Sequence, residues 1–217
     1  MVMLQFRQLV VQPGQRIQLQ DVDWAEFEAI LAELGDERSS RIAYFGDVLE
    51  IRMPLPEHEV DNELIGDLVK ILLEELDIDN ECFGSTTFRR QGMQAGIEPD
   101  QCFYIENHAV MIGKRRIDLT IDPPPDLAIE VDVTSKTGLE AYQALGVPEL
   151  WRFEEGGLRI SLLQDGAYQD ATQSRHFPQF DVIDWVAQVI VRSQTDGRSQ
   201  TLKAFRKQIR GLIAATN

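Results

Sequence analysis

The stretch Asp126 to Thr134, DLAIEVDVT, restricts the fold of this chain more than any other. It follows three prolines and reads as a strand, in which successive side chains alternate between two faces. Leu127, Ile129, Val131 and Val133 form a continuous apolar row suited to a core. Ala128, Glu130, Asp132 and Thr134 occupy the other face, so two carboxylates stand two residues apart. Like charges at that distance repel unless a positive group lies between them or one takes up a proton. A divalent ion with hard oxygen ligands, Mg²⁺ or Mn²⁺, answers that need. A solvated sheet face answers it equally well. Lys136, just past the strand, is placed to hold a negatively charged oxygen or to orient a water.

Asp100 in IEPDQCFYI follows a proline at the mouth of another strand. If that strand pairs beside 126–134, Asp100 and Glu130 converge on one cation. Carboxylates that fix a metal, a metal that generates hydroxide, and a nearby cation are the parts of metal-assisted phosphodiester hydrolysis. Asp100 is also ordinary turn chemistry, since Pro-Asp is a common turn pair.

The rest of the chain supplies a frame for these residues. DVDWAEFEAILAEL, 21–34, is amphipathic, with Asp23 and Glu26 spaced as a capping box. RIAYFGDVLEIRMP is a hairpin turning at Gly46-Asp47 and stopped by Pro54 and Pro56. Residues 57–77 form the clearest helix, with Ile65, Leu68, Val69, Leu72 and Leu76 on one stripe. Continued backward, that stripe reaches Asp61 and His58. ECFGSTTF, DQCFYI and AVMIG read as strands, and TGLEAYQALG as a short helix ending at Gly146. PELWRFE, LRISLLQ and AYQDA form a meander, in which Trp151 and Phe153 belong to a core or an interface. Two C-terminal helices flank the polar RSQTDGRS, and the second gathers Lys203, Arg206, Lys207 and Arg210. The order of elements predicts one α/β domain over 1–217, a mixed central sheet flanked by helices. Its core covers about 40–170 and its helical C-terminal extension about 180–217.

Charge and composition narrow the function. Twenty-one basic against thirty-six acidic residues leave a net charge of −15, which opposes tight, non-specific DNA binding. A nuclease that contacts few phosphates is still compatible with it. No apolar run approaches the length of a membrane span, and two cysteines are too few for a disulfide framework. Both points suit a cytoplasmic protein that does not engage a membrane. Three histidines, with no HExxH and no Cys or His cluster, speak against structural zinc.

EPD at 98–100, IEV thirty residues later and Lys136 nearby resemble the PD-(D/E)XK nuclease superfamily. More narrowly, YFGDVLEIRMPLPEHE, PPDLAIEVDVTSK and YQALGVPELWRF are similar to the Uma2, or DUF820, family, abundant in cyanobacteria. The resemblance implies a restriction-endonuclease-like fold and a Mg²⁺- or Mn²⁺-dependent endonuclease acting on DNA. It makes Asp100 and Glu130 metal ligands, and matches His58 to a histidine usual at the start of the long helix. The sequence departs from the superfamily at residue 132, where the expected lysine is aspartate, so Lys136 would serve from the strand's end. That departure and the net charge favour the alternative of a catalytically inactive nuclease fold kept for interaction. A free edge of the meander suits pairing with a second copy as a homodimer.

Overall fold

Local sequence rules set most of the elements in the computed structural model, which describes residues 6, 9–35, 38–84, 86–131 and 135–216. After β1 (Arg16–Leu19), α1 (Trp24–Leu34) starts at Asp23, and the reciprocal Asp23–Glu26 capping box is formed. β2 (Arg41–Phe45) and β3 (Val48–Arg52) make the expected hairpin. Gly46 and Asp47 both have positive φ, 56° and 62°, as a tight two-residue turn requires. α2 (Pro56–Glu75) opens on proline, whose missing N–H costs nothing in a first turn.

Short strands follow: β4 (Glu81–Cys82), β5 (Phe88–Arg90), β6 (Ala95–Ile97) and β7 (Gln101–Tyr104). Then come α3 (His108–Met111), β8 (Leu127–Val131) and α4 (Lys136–Leu145), which ends on Gly146 at φ 78°. β9 (Glu149–Glu154), β10 (Gly157–Gln164) and β11 (Ala167–Ala171) form the meander. α5 (Val182–Asp196) and α6 (Arg198–Thr216) close the chain.

The strands divide into two sheets. The mixed central sheet has the order β11-β10-β9-β8-β7-β4, with β8 and β9 parallel and joined through α4. The second is antiparallel, β1-β3-β2-β6-β5. Leu127, Ile129 and Val131 face α2, α5 and α6 with Trp151 and Phe153, so the apolar row fills the core it implied. Ala128 faces the other way, into a layer shared by both sheets and α4. A third core lies under α1, where Phe27 stacks on Tyr44 with centroids 4.4 Å apart. Phe205 and Ile209 of α6 are buried in the core of the central sheet, so the helical extension caps that core.

Three expectations change. AVMIG is no strand: residues 108–111 make one helical turn, and Val110 and Ile112 are exposed. The polar RSQTDGRS does not separate the C-terminal helices over its length; α5 runs on to Asp196 and breaks only at Gly197, with φ 76°. ECFGSTTF is two short strands in different sheets. Cys82 and Cys102 are free thiols, and burial pushes that of Cys102 up.

β6 tolerates no side chain at Gly96. A Cβ there would lie 2.8 Å from Cζ of Phe27, whose ring is pinned against Tyr44. Gly96→Ala is therefore expected to destabilise the fold by about 1–3 kcal/mol, as overpacking does. Gly92→Ala, which meets nothing within 4 Å, is expected to change urea unfolding far less.

Candidate active site

The cross-strand register of the antiparallel sheet puts an unusual row on its inner face. Arg52 of β3 lies opposite both Arg16 of β1 and Arg41 of β2. Like charges directly opposite one another are destabilising, so such a row needs carboxylates. Asp100 and Glu130 of the central sheet supply them.

Asp100 sits just before β7 and is clamped to β8 on both sides of Glu130. Its N–H donates to the Ile129 carbonyl at 3.1 Å, and its Oδ2 accepts the Val131 N–H at 2.9 Å. Oδ1 is thereby turned to Arg52, at 3.2 Å, and to Nε of Arg41, at 3.6 Å. Glu130 receives the same Arg52 Nη2 on Oε2, while Oε1 accepts the Tyr142 hydroxyl at 2.5 Å. Arg41 reaches Glu59 of α2 at 3.6 Å. The two carboxylates from neighbouring strands thus converge on one guanidinium nitrogen.

Burial makes this arrangement expensive to disturb. Glu130 is 4% exposed and Asp100 6%. Burial pushes the Glu130 carboxyl up to about 8; Arg52 pulls it down, Asp100 pushes it up, and the Tyr142 hydroxyl pulls it down. Burial opposes the charge on Arg52, but Glu130 and Asp100 outweigh it and hold the guanidinium protonated. Tyr142 is raised well above the usual phenol range, first by burial and then by Glu130. A narrow cleft of about 10 Å³, little more than one water, opens beside the cluster, lined by Glu50, Arg52, Glu130, Ser135 and Gly138 among others.

Of the four residues singled out in the sequence, the structure brings Asp100 and Glu130 together. Lys136 begins α4 rather than trailing a strand; its side chain is 86% exposed and pairs with Glu140 at 3.8 Å. His58 lies in the first turn of α2, half-buried, its N–H bonded to the Leu55 carbonyl at 3.1 Å. Asp132, Val133 and Thr134, and with them the expected Glu130–Asp132 pair, lie outside the described residues.

Arg52, Arg41 and Tyr142 escaped the sequence reading. A signal for Arg52 existed: in VLEIR, Leu49 and Ile51 face one core while Glu50 and Arg52 face the other way, the alternation that marked Glu130. Tyr142 lies on the buried stripe of α4 with Gly138, Ala141 and Leu145, where it reads as plain core.

The donor chemistry of Asp100 and Glu130 fits a hard divalent cation, because two carboxylate oxygens already share one positive group. Asp100 and Glu130 would hold such an ion; among the described residues no group of three or more His, Cys, Asp or Glu could do so.

A family model described as "Uma2: Putative restriction endonuclease" matches residues 24–184. The chain belongs to the Uma2 family. The match runs from α1 into α5 and includes Arg52, Asp100, Glu130 and Tyr142. A crystal structure titled as a putative nuclease belonging to DUF820, from Anabaena variabilis ATCC 29413, resembles the chain with a TM-score of 0.51. It is 15% identical, and the likeness covers 76% of this chain and 97% of that one. At that identity the likeness speaks for the restriction-endonuclease-like fold alone. No curated protein sequence matches the chain significantly. The Uma2 description indicates a nuclease as the class of activity. No helix among the described residues is long and apolar enough to cross a membrane.

The raised Glu130 carboxyl gives this Uma2 protein a pH signature. Below the ordinary glutamate pKa of about 4.3 both folded and unfolded chains hold the proton, and the contribution is fully present. Above it the unfolded chain loses a proton that the folded one keeps, so this contribution declines until pH passes about 8. Thermal unfolding in chelator, compared between wild type and Glu130→Gln, is expected to show wild type losing ground as pH rises from 5 to 9. Parallel profiles would refute the raised carboxyl.

Proposed function

We propose that this Uma2 protein is a Mg²⁺- or Mn²⁺-dependent endonuclease that hydrolyses phosphodiester bonds in DNA. The observation that carries this reading is the convergence of Asp100 and Glu130, from adjacent strands, on one cationic group in a nearly dry cleft. In this proposal they hold the metal, which when bound activates a water and neutralises phosphate charge. The chain's own residues do the positioning. The Val131 amide fixes Asp100, the Tyr142 hydroxyl fixes Glu130, and Arg52 balances their charge. Lys136 meets the developing charge from the start of α4, and His58 assists at the first turn of α2. The β11 edge, unpaired on its outer side, offers backbone groups to a second copy in a homodimer.

A second reading is favoured by one specific observation. The Arg52 guanidinium already neutralises the pair, as in a nuclease fold that has kept its packing and lost its chemistry. Calorimetric titration with Mn²⁺ separates the two, since the inactive module gives no heat while the nuclease gives heat that Asp100→Ala abolishes.

The direct test is cleavage of plasmid and linear DNA by the purified protein in Mg²⁺ or Mn²⁺. Asp100→Asn and Glu130→Gln are each expected to lower the rate by roughly a hundredfold or more, as removal of a catalytic charge does. Lys136→Ala and His58→Ala are expected to lose less. A folded wild type that cleaves nothing, or a Glu130→Gln variant as fast as wild type, ends the proposal.

A further inference from the structure

The motif EPD carries a second acid that the site above does not use. Glu98, two residues before Asp100, points into another part of the molecule. There it accepts from Thr87 Oγ1 at 2.6 Å and pairs with Arg38, whose side chain is 8% exposed. Arg38 also donates to the Gly35 carbonyl at 2.5 Å and to Thr87 at 3.1 Å. Even so, Arg38 Nε and Glu98 Oε2 are buried with no hydrogen-bond partner. Buried polar atoms are rarely left so.

These residues form one wall of an open cleft of about 550 Å³. Arg89, Arg115, Arg116 and Asp118 line the rest, with Thr86 and Thr87 between them. Four arginines against two acids make this a positive region on a chain of net charge −15. The arginines are not equivalent. Arg38 is committed to Glu98, and Arg89 pairs with Glu28 at 3.0 Å. Arg115 and Arg116 are exposed and have no carboxylate partner among the described residues.

We propose that this cleft binds the phosphate backbone of the DNA strand whose scissile bond lies at Asp100 and Glu130. The proposal rests on the nuclease reading and names where its substrate is held. Guanidinium groups and threonine hydroxyls are backbone-reading chemistry, fixing position without sequence. Proximity supports the link: Glu98 and Asp100 are separated by one residue, so their Cα atoms are at most about 7 Å apart. The cleft and the carboxylate pair are thus joined through one short segment of chain, Glu98 to Asp100, which contributes a side chain to each. The cleft also resolves the conflict with net charge, because a few local arginines release counterions at the contact while distant acids are screened beyond about 8 Å.

The alternative basic surface, on α6, is a weaker candidate. Arg206 pairs with Glu74 and Glu75, and Arg210 with Glu75, which leaves Lys203 and Lys207 as its exposed lysines.

The test is fluorescence anisotropy with a labelled DNA duplex and its single strand, in chelator, over a series of salt concentrations. Arg115→Ala/Arg116→Ala removes two exposed side chains and is compared with Lys203→Ala/Lys207→Ala, each checked for folding by thermal unfolding. The cleft variant is expected to bind roughly tenfold or more weakly and to lower the salt slope by about 2, one for each lost phosphate contact. The α6 variant is expected to bind as wild type. Equal binding by the cleft variant, equal loss in the α6 variant, or no binding of either probe by wild type overturns the proposal. The two readings fail separately. Cleavage that depends on Glu130 with binding untouched by the cleft variant removes the cleft and keeps the nuclease. Binding that depends on the cleft, in a protein that cleaves nothing with metal, does the reverse.

Discussion

Arg52 is the point at which the two sheets are joined electrostatically. It belongs to the antiparallel sheet, and both of its carboxylate partners belong to the central one. Buried ions are costly to desolvate, and removing one partner of a buried pair typically costs about 3–5 kcal/mol by stranding the other. Here one cation serves two acids, and the hydrogen bonds from Tyr142 and Val131 take up the remaining carboxylate oxygens. The layer shared by the sheets is otherwise apolar, from Ala43, Ala128 and Ala141 to Phe88, Tyr104 and Met111.

The same balance explains why the site was only half legible in the sequence. A strand's alternation is a local property, so DLAIEV disclosed both the core face and the acid that faces away from it. Asp100 was legible through proline and a short strand, and its meeting with Glu130 followed from the guess that the strands are neighbours. β7 and β8 are indeed paired, with Gln101 opposite Ile129. Arg52 was hidden because its role depends on the approach of a second sheet, and no periodicity in 41–52 signals what lies across from it. Tyr142 was hidden for a different reason: a buried tyrosine on an apolar stripe looks like packing until its hydroxyl finds a partner. AVMIG failed because four apolar residues are too few to distinguish a strand from a helical turn, and here most of them do not face a core. The sheet that carries Arg52 was also the harder one to read, since β1, β5 and β6 are only three or four residues long.

Charge is distributed to match. A net charge of −15 describes the whole chain, but two local groups of arginines stand apart from it. One group, Arg16, Arg52 and Arg41, forms the row across three strands, and Arg38, Arg89, Arg115 and Arg116 line the cleft beyond Glu98. The basic face of α6, conspicuous in the sequence, is instead used internally, tying the last helix to the acidic end of α2. A run of charge in the sequence is therefore a poor guide to an interaction surface when an opposite run lies where the fold will bring it.

Arginine at the centre of a carboxylate pair also sets a physical condition on any metal chemistry. A guanidinium and a divalent ion would compete for the same two carboxylates, each with about four lone-pair sites to offer. A divalent ion would bring twice the charge to Asp100 and Glu130, which are nearly buried, and would be held best with the raised Glu130 carboxyl ionised. Arg52 stands on β3 between Arg16 and Arg41. If an ion were held by the two acids, the guanidinium that now balances them would be available as an anion-binding group beside them, so one side chain would serve the fold without metal and the chemistry with it.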